Sequence, residues 1–133
     1  MKNKKYISIS IATFLLIMID QIIKQVARKG KINFENGNNI TLIIFLIYAI
    51  IMIVGMIIFI KRKKENINIL LLISTSNLFA SVISNMLDII VKQSVTDYIL
   101  INNINMNLSD VYMTIGWTLF IINLILEKRK SKI

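Results

Sequence analysis

The residues in this sequence best suited to chemistry are aspartates that lie in or beside long apolar runs. Asp88 and Asp110 each end an Asn-x-x-Asp string, and Asp97 lies between them. Two close carboxylates in a low-dielectric site cannot both ionise easily, so one keeps its proton near neutral pH. If Asp97 and Asp110 met, the ionised member could take a proton from water while the protonated member polarised a peptide carbonyl. That chemistry would be aspartyl proteolysis, although spacing alone leaves open whether the two side chains meet.

The absence of histidine and cysteine narrows the possible chemistry further. It excludes disulfides, thiol nucleophiles, Ser-His triads and the usual zinc sites. Hydrolysis would therefore use carboxylates or, less readily, a Ser–Lys pair. We expect neither a metal nor another cofactor.

Four long apolar runs must position the aspartates. More than half of the 133 residues are hydrophobic, and proline is absent. About 20 apolar residues span a bilayer, and the runs cover approximately residues 6–23, 40–60, 67–90 and 108–126. We predict an all-α membrane protein with four transmembrane helices in a single membrane domain, residues 1–133, with short loop or β-like segments at the outer face.

The net charge of +9 is distributed unevenly along the chain. The two ends of the chain and residues 61–65 hold eleven lysines and arginines against two acids, whereas the remaining charges balance. The positive-inside rule then places both termini and the 61–66 loop in the cytoplasm. The charge thus predicts topology rather than nucleic-acid binding, and it puts all four aspartates on the outer side. Alternatively, polar residues simply gather near helix ends.

Asp20 and Lys24 form a candidate pair in the first helix. Asp20 follows about 14 apolar residues, or roughly 21 Å of helix at 1.5 Å per residue, and should lie in the outer third of the bilayer. Lys24 lies one turn further on, which makes a favourable i,i+4 pair. The pair fits either a structural ion pair at the interface or a role in a site.

The third apolar run differs from the others because it carries many polar residues. Asn77, Ser81, Ser84 and Asp88 recur at helical spacing, with Asn85 beside them. Polar side chains inside a membrane face the bundle interior or a wet cavity and bond across helices. We interpret the earlier part of this stripe as structural, and Asn85 and Asp88, at its outer end, as site candidates.

Two connecting segments belong to the predicted outer side. Residues 29–40 carry a turn signal at Asn36-Gly37. Residues 91–106 are too apolar for a free loop, and we expect an extended or re-entrant segment at the interface. The fourth helix should start near Asn107, with Asp110 in its first turns, where the helix dipole favours a negative charge. An ordinary acid at a helix N-terminus is therefore the alternative interpretation of Asp110.

Four short blocks of the sequence resemble motifs of signal peptidase II, the bacterial lipoprotein signal peptidase, and occur in the same order. DQIIK (residues 20–24) is similar to Asp-Gln-x-x-Lys in helix 1, and SNMLD (84–88) to Gly-Asn-Leu-x-Asp-Arg at the end of helix 3. VTDYI (95–99) resembles Val-Val-Asp-Phe, and MNLSD (106–110) resembles Phe-Asn-x-Ala-Asp at the start of helix 4. The predicted four-helix plan with cytoplasmic termini also resembles that family.

The resemblance implies that Asp97 and Asp110 are a catalytic pair at the outer face of a bacterial cytoplasmic membrane. The implied substrate is a prolipoprotein with a diacylglyceryl-modified cysteine, cleaved just before that cysteine. We expect surrounding membrane lipids, no nucleic-acid partner and a monomer. The resemblance also implies supporting or substrate-binding roles for Asp20, Lys24, Asn85, Asp88 and Asn107.

The sequence departs from the family pattern at several positions. Ile89 stands where the family has arginine, Ser84 where it has glycine, and Ser109 where it has alanine. The segment from 97 to 110 is shorter than usual, and the family's Asn-x-Gly-Ala-Ala-Phe block between helices 1 and 2 is not recognisable.

Two other functions stay open at this point. The departures would suit a non-catalytic relative with an immunity or binding role in the membrane. A small multidrug transporter also has four helices in a chain of this length. Such a transporter would need an acid deep in helix 1, and its charges would be distributed more evenly between the two sides of the membrane.

Overall fold

The computed structural model describes residues 2–31, 34–36, 39–63 and 67–130 as a mostly helical chain. Gly37 is not among them, so the turn predicted at Asn36-Gly37 lies partly outside the described residues. The described helices are α1 (Lys2–Lys29), α2 (Asn39–Lys63), α3 (Ile69–Lys92) and α4 (Leu108–Lys130), and the strands are β1 (Phe34–Asn36), β2 (Val95–Asp97), β3 (Ile99–Ile101) and β4 (Ile104–Met106).

All four helices are long and apolar enough to cross a membrane. Large apolar side chains on α1, α2 and α4 point away from the rest of the chain, among them Phe14, Ile51 and Ile125. Contiguous apolar surface of this extent is unfavourable in water, whereas lipid solvates it. The predicted all-α, four-helix membrane fold is therefore confirmed, together with the short β segments.

Helix α1 continues past the end of its apolar run. The sequence pattern placed the end near residue 23, whereas the helix runs to Lys29. Lys24 and Arg28 lie on the extra turns and form ion pairs with acids, including Asp88 on α3. These tertiary contacts stabilise helical turns that hydrophobicity alone does not mark.

Helix α3 lies at the centre of the fold and packs against α1, α2 and α4. It packs tightly against α4 at Gly116, where an added Cβ would lie 2.7 Å from the Leu78 side chain. The Ser74 hydroxyl donates to the Gly116 carbonyl across the same contact, at 2.9 Å. Small residues let membrane helices approach closely, so Gly116 permits this packing.

The polar residues in the first half of α3 are mostly satisfied within the helix. Thr75, Ser76 and Asn77 each donate to the carbonyl of the residue four positions earlier. Ser81 is different, because its buried hydroxyl has no hydrogen-bond partner among the described residues. These bonds fit the structural interpretation of this part of the stripe.

The helices alternate in direction, so the fold has two distinct ends. At one end, which we call the basic end, Lys5 donates to the Ile67 carbonyl at 2.7 Å and Asn68 donates to Asn123. An apolar cluster of Ile60, Ile67 and Leu71 lies there as well. The opposite end, which we call the aspartate end, holds the C-terminal turns of α1 and α3 and the start of α4.

The strands lie at the aspartate end: β2, β3 and β4 in the segment predicted to be extended, and β1 between α1 and α2. β1 pairs antiparallel with β2, with Phe34 opposite Asp97. β3 and β4 form a hairpin whose turn residues, Asn102 and Asn103, both have positive φ (48° and 65°). This is the conformation that two-residue hairpins favour, and asparagine tolerates it well. The hairpin leads the chain back to the start of α4.

Candidate active site

A buried polar network joins α1, α3 and α4 at the aspartate end. Its members are almost completely inaccessible to solvent, at 0–2 % exposure. A buried charge is costly unless it is paired and hydrogen-bonded, so the contacts of each group decide what the network can do. The members are Asp20, Lys24, Ser84, Asn85, Asp88, Asn107 and Ser109.

Lys24 is the central cation of this network. Its ammonium lies 2.8 Å from Asp20 Oδ2 and 3.2 Å from Asp88 Oδ2, and it donates to Asn85 Oδ1 at 2.7 Å. An ammonium has three donors, and three acceptors surround this one. The predicted Asp20–Lys24 pair is thus confirmed. The described contacts of Lys24 include no serine hydroxyl, which leaves a Ser–Lys mechanism without support.

Asp88 ties strand β2 to α1 and α3. Its Oδ2 accepts from the Thr96 backbone N–H at 3.1 Å, and its Oδ1 lies 3.5 Å from Arg28 Nη1. The same Arg28 nitrogen donates to Thr96 Oγ1 at 3.1 Å. Thr96 directly precedes Asp97, so this ion pair fixes the backbone next to one of the two candidate catalytic residues.

Asn107 contacts both candidate catalytic aspartates. Its side-chain amide donates to Asp97 Oδ1 at 2.7 Å, and its backbone N–H donates to Asp110 Oδ2 at 2.8 Å. The fold therefore brings Asp97 and Asp110 into contact with the same residue, which their sequence spacing left open.

Asp110 also completes the N-terminal cap of α4. The Asp110 backbone N–H donates to Asn107 Oδ1 at 3.2 Å while its carboxylate accepts from the Asn107 N–H, which is a capping box. The alternative interpretation of Asp110 as a helix N-terminal acid is therefore correct in structural terms. It leaves Oδ1 of Asp110 without a hydrogen bond from any described residue, and Asp110 is only half-buried.

Asp20 connects this capped helix to the rest of the network. Ser84 and Ser109 both donate to its Oδ2 at 2.6 Å, and the Tyr98 hydroxyl donates to its Oδ1 at 3.4 Å. Tyr98 in turn accepts the Leu108 backbone N–H at 3.0 Å. The helix-1 residue predicted to support the site thus contacts three other segments.

The Tyr98 hydroxyl is held in its neutral form. Burial is the largest effect and raises the pKa of this phenol; the Leu108 N–H lowers the pKa, and the negative charge of Asp20 raises it by less than the Leu108 N–H lowers it. A neutral hydroxyl can donate to Asp20 and accept from Leu108 at the same time. Tyr98 therefore acts as a bridge between α1 and α4.

Several network residues were not predicted from the sequence. Ser84 was noted as part of the polar stripe and as a departure from the family pattern, Ser109 only as such a departure, and Tyr98 only within the VTDYI block. Arg28 was counted only among the outer-side charges, whereas it lies within α1 and pairs with Asp88. One sequence signal could have identified Ser84, Ser109 and Tyr98. Each has a hydroxyl group at a position where the family motif carries glycine or an apolar residue.

Asp88 pairs with an arginine on α1, although this sequence lacks the arginine that the family motif carries directly after the aspartate. Ile89 is buried among apolar residues at 4 % exposure, so it adds no charge to the network. Arg28 on α1 supplies a guanidinium to Asp88 instead. In this chain, the arginine that pairs with Asp88 therefore comes from a different helix.

A groove of about 390 Å³ borders the network on the side of α1 and α3. Its lining includes Gln21, Arg28 and Asp88, together with apolar residues such as Ile22 and Leu87. Every lining residue comes from α1 or α3, so this groove is separate from the region of Asp97 and Asp110.

With this geometry in place, the chain can be compared with known proteins. It belongs to the family described as Signal peptidase (SPase) II, whose sequence model matches residues 31–126. The matched range includes Asn85, Asp97, Asn107 and Asp110, whereas Asp20 lies before it. Membership of this family indicates a membrane protease of the lipoprotein signal peptidase type. No curated protein sequence matches the chain.

Two solved structures share the fold. Both are described as a bacterial membrane enzyme solved by the in meso method, one at 2.3 Å and one at 1.9 Å resolution. The first has a TM-score of 0.75 and 22% identity, covering 90% of this chain and 88% of its own. The second has a TM-score of 0.73 and 22% identity, covering 87% of this chain and 91% of its own. The described fold is therefore similar over nearly the whole chain.

Proposed function

We propose that this chain is an intramembrane aspartyl endopeptidase that removes signal peptides from diacylglyceryl-modified prolipoproteins. Family membership supports the reaction type. The observation that carries the proposal is that Asn107 contacts both Asp97 and Asp110. This shared contact supports the proposal, because water activation by a singly protonated acid pair requires two carboxyl groups in one site.

The reaction would proceed with one carboxyl of the pair ionised and the other protonated. The carboxylate removes a proton from water as the water oxygen bonds to the carbonyl carbon, and the carboxylic acid gives its proton to the carbonyl oxygen. The C–N bond then breaks as the nitrogen takes the first proton, and the new carboxyl group returns the second. The products are a free signal peptide and a lipoprotein with a new N-terminal amine on its modified cysteine.

Asn107 has two tasks in this mechanism. Its side-chain amide orients Asp97, and its backbone N–H orients Asp110. Because Asn107 is also the cap of α4, the position of the pair is tied to the helix rather than to a mobile loop. Oδ1 of Asp110 accepts no hydrogen bond from the described residues, so it is the atom of this carboxyl group best placed to meet a water or a carbonyl oxygen.

The proposed location of the pair is the outer face of the bacterial cytoplasmic membrane. The basic segments meet at one end of the bundle, as the Lys5–Ile67 and Asn68–Asn123 contacts indicate. The positive-inside rule assigns that end to the cytoplasm, which leaves the aspartates at the outer face. A substrate could keep its acyl chains in lipid there while its scissile bond meets water.

The test is cleavage of a diacylglyceryl-modified prolipoprotein by the purified full chain in detergent or nanodiscs. We expect release of the signal peptide by the wild type and none by Asp97→Asn or Asp110→Asn. Glu127→Gln removes one carboxylate at the basic end and serves as the matched control, which should cleave normally. A prolipoprotein whose cysteine carries no lipid tests the substrate class, and it should be cleaved poorly.

A non-catalytic membrane role is the second candidate, and the capping box favours it. Asp110 has a structural function that requires no reaction, so its presence alone does not imply an enzyme. A well-folded wild type that cleaves neither substrate would support an immunity or binding role. Cleavage that survives in both asparagine variants would contradict the acid-pair mechanism itself.

A further inference from the structure

Asp20 is the acceptor for four donors, and three of them are hydroxyl groups. Ser84 and Ser109 donate to Oδ2 at 2.6 Å, within the range of strong O–H···O⁻ bonds. Lys24 Nζ lies 2.8 Å from the same oxygen, and Tyr98 donates to Oδ1 at 3.4 Å. The Asp20 side chain is completely buried, so these donors take the place of water around its charge.

The three hydroxyls come from three different segments. Ser84 lies on α3, Ser109 in the first turn of α4, and Tyr98 between β2 and β3. Asp20 itself lies on α1. One buried carboxylate therefore connects the segments that surround Asp97 and Asp110. Leaving any of these polar groups without its partner would carry the full cost of a buried unpaired group.

Two of the hydroxyls are sequence neighbours of the proposed catalytic pair. Tyr98 directly follows Asp97, and Ser109 directly precedes Asp110. Tyr98 also accepts the Leu108 N–H, so its hydroxyl contacts both Asp20 and the first turn of α4. A shift of either hydroxyl would move the adjacent aspartate with it.

We propose that Tyr98 and Ser109 are positioning residues, which bond to Asp20 and thereby set the placement of Asp97 relative to Asp110. Ser84 fixes Asp20 from α3. The effect on catalysis rests on the proposed function, whereas the anchoring does not. The hydroxyls contact Asp20 rather than the substrate, so their loss should lower kcat and leave KM unchanged, since small misplacement of catalytic groups is costly.

The anchoring is tested by hydrogen exchange on the full chain in nanodiscs. In the Tyr98→Phe/Ser109→Ala double variant, we expect amides in residues 95–98 and 107–110 to exchange about tenfold faster, as loss of bonds to a charged group implies. The matched control is Tyr6→Phe/Ser81→Ala. It removes the same two atoms, and neither hydroxyl forms a hydrogen bond among the described residues.

The effect on the reaction is tested with the same variants. We expect kcat of the Tyr98→Phe/Ser109→Ala variant to fall about tenfold, with KM within about twofold of wild type. The single variant Ser109→Thr keeps a hydroxyl at this position and leaves Tyr98 unchanged. Its kcat should therefore stay close to that of the wild type. A raised KM with unchanged kcat would place these hydroxyls at the substrate instead and overturn the positioning role.

The outcomes separate this proposal from the proposed function. If the wild type cleaves no lipoprotein but exchange in the double variant rises as expected, the enzyme assignment fails and the anchoring is supported. If exchange in the double variant equals that of the Tyr6→Phe/Ser81→Ala control, the anchoring is wrong, whether or not the chain cleaves. Ser109→Ala alone removes a single oxygen and provides both readouts should the double variant not fold.

Discussion

The two ends of the helix bundle are held together by different interactions. At the basic end, Ile60, Ile67 and Leu71 form an apolar cluster, and neutral amides such as Asn68 and Asn123 add polar contacts. At the aspartate end, buried charges take the place of the apolar cluster. Lys24 alone contacts two carboxylates and an amide.

Under the proposed function, this difference separates the end that holds the site from the end that packs the helices together. Replacing a buried ion pair with well-packed apolar residues is often neutral or stabilising, so stability alone does not favour charges at the aspartate end. At the basic end, the described buried cluster is apolar. The charges around Asp20 and Asp88 are better explained by the need to hold Asp97 and Asp110 in a polar, ordered site.

The largest expected effect is a loss of activity when a candidate catalytic residue at the aspartate end is replaced. Asp97→Asn should lower kcat by about 10²–10⁴-fold, the usual contribution of a general acid or base. Its thermal stability should change little, because an asparagine oxygen can still accept from the Asn107 amide. Steady-state cleavage and thermal unfolding are measured together, with Glu127→Gln at the basic end as the control. A similar loss of kcat in Glu127→Gln would remove the distinction between the ends.

The next effect is on stability at the aspartate end. Lys24→Met should lower the free energy of unfolding by about 3–5 kcal/mol, because it leaves Asp20 and Asp88 buried without their shared cation. Equilibrium unfolding in mixed micelles measures this loss. Lys29→Met changes an exposed lysine at the end of the same helix and should have almost no effect. Equal losses in the two variants would mean that burial of Lys24 does not matter.

A smaller loss is expected from the apolar cluster. Leu71→Ala should lower the free energy of unfolding by about 2–4 kcal/mol through the cavity it leaves, since Leu71 is completely buried. The cleavage rate per folded molecule should stay at the wild-type value. Ile51→Ala, at a lipid-facing position of α2, is the control. A fall in kcat for Leu71→Ala would show that the two ends are coupled.

The smallest effect is a pH dependence at the aspartate end. The pKa of Tyr98 is raised by burial, so the folded chain keeps this proton where the unfolded chain loses it. Stability from Tyr98 is therefore complete below the unfolded pKa of about 10 and decreases as the pH rises above that value. Melting temperatures between pH 9 and 11 should fall more for wild type than for Tyr98→Phe. Parallel curves would contradict the neutral bridging hydroxyl.

Local patterns in the sequence were sufficient for the helices and for the candidate residues. Runs of apolar residues predicted four membrane helices, and the i,i+4 spacing of Asp20 and Lys24 predicted their ion pair. Asn107 and Asp110 were placed correctly at the start of α4, because capping preferences act over a few residues. The end of α1 was misplaced, because the extra turns carry charged residues such as Arg28, whose contacts with Asp88 and Thr96 lie far away in sequence.

The sequence by itself determined the environment and the chemistry available: a membrane-spanning chain with carboxylates beside its apolar runs and no histidine or cysteine. Tertiary structure decided which of these groups meet. Ser109 reaches Asp20 across 89 positions of sequence and Tyr98 reaches it across 78. Such contacts depend on how three helices and a hairpin pack around one buried carboxylate. Their pairing follows from that packing, because helical periodicity fixes only the face on which a residue lies.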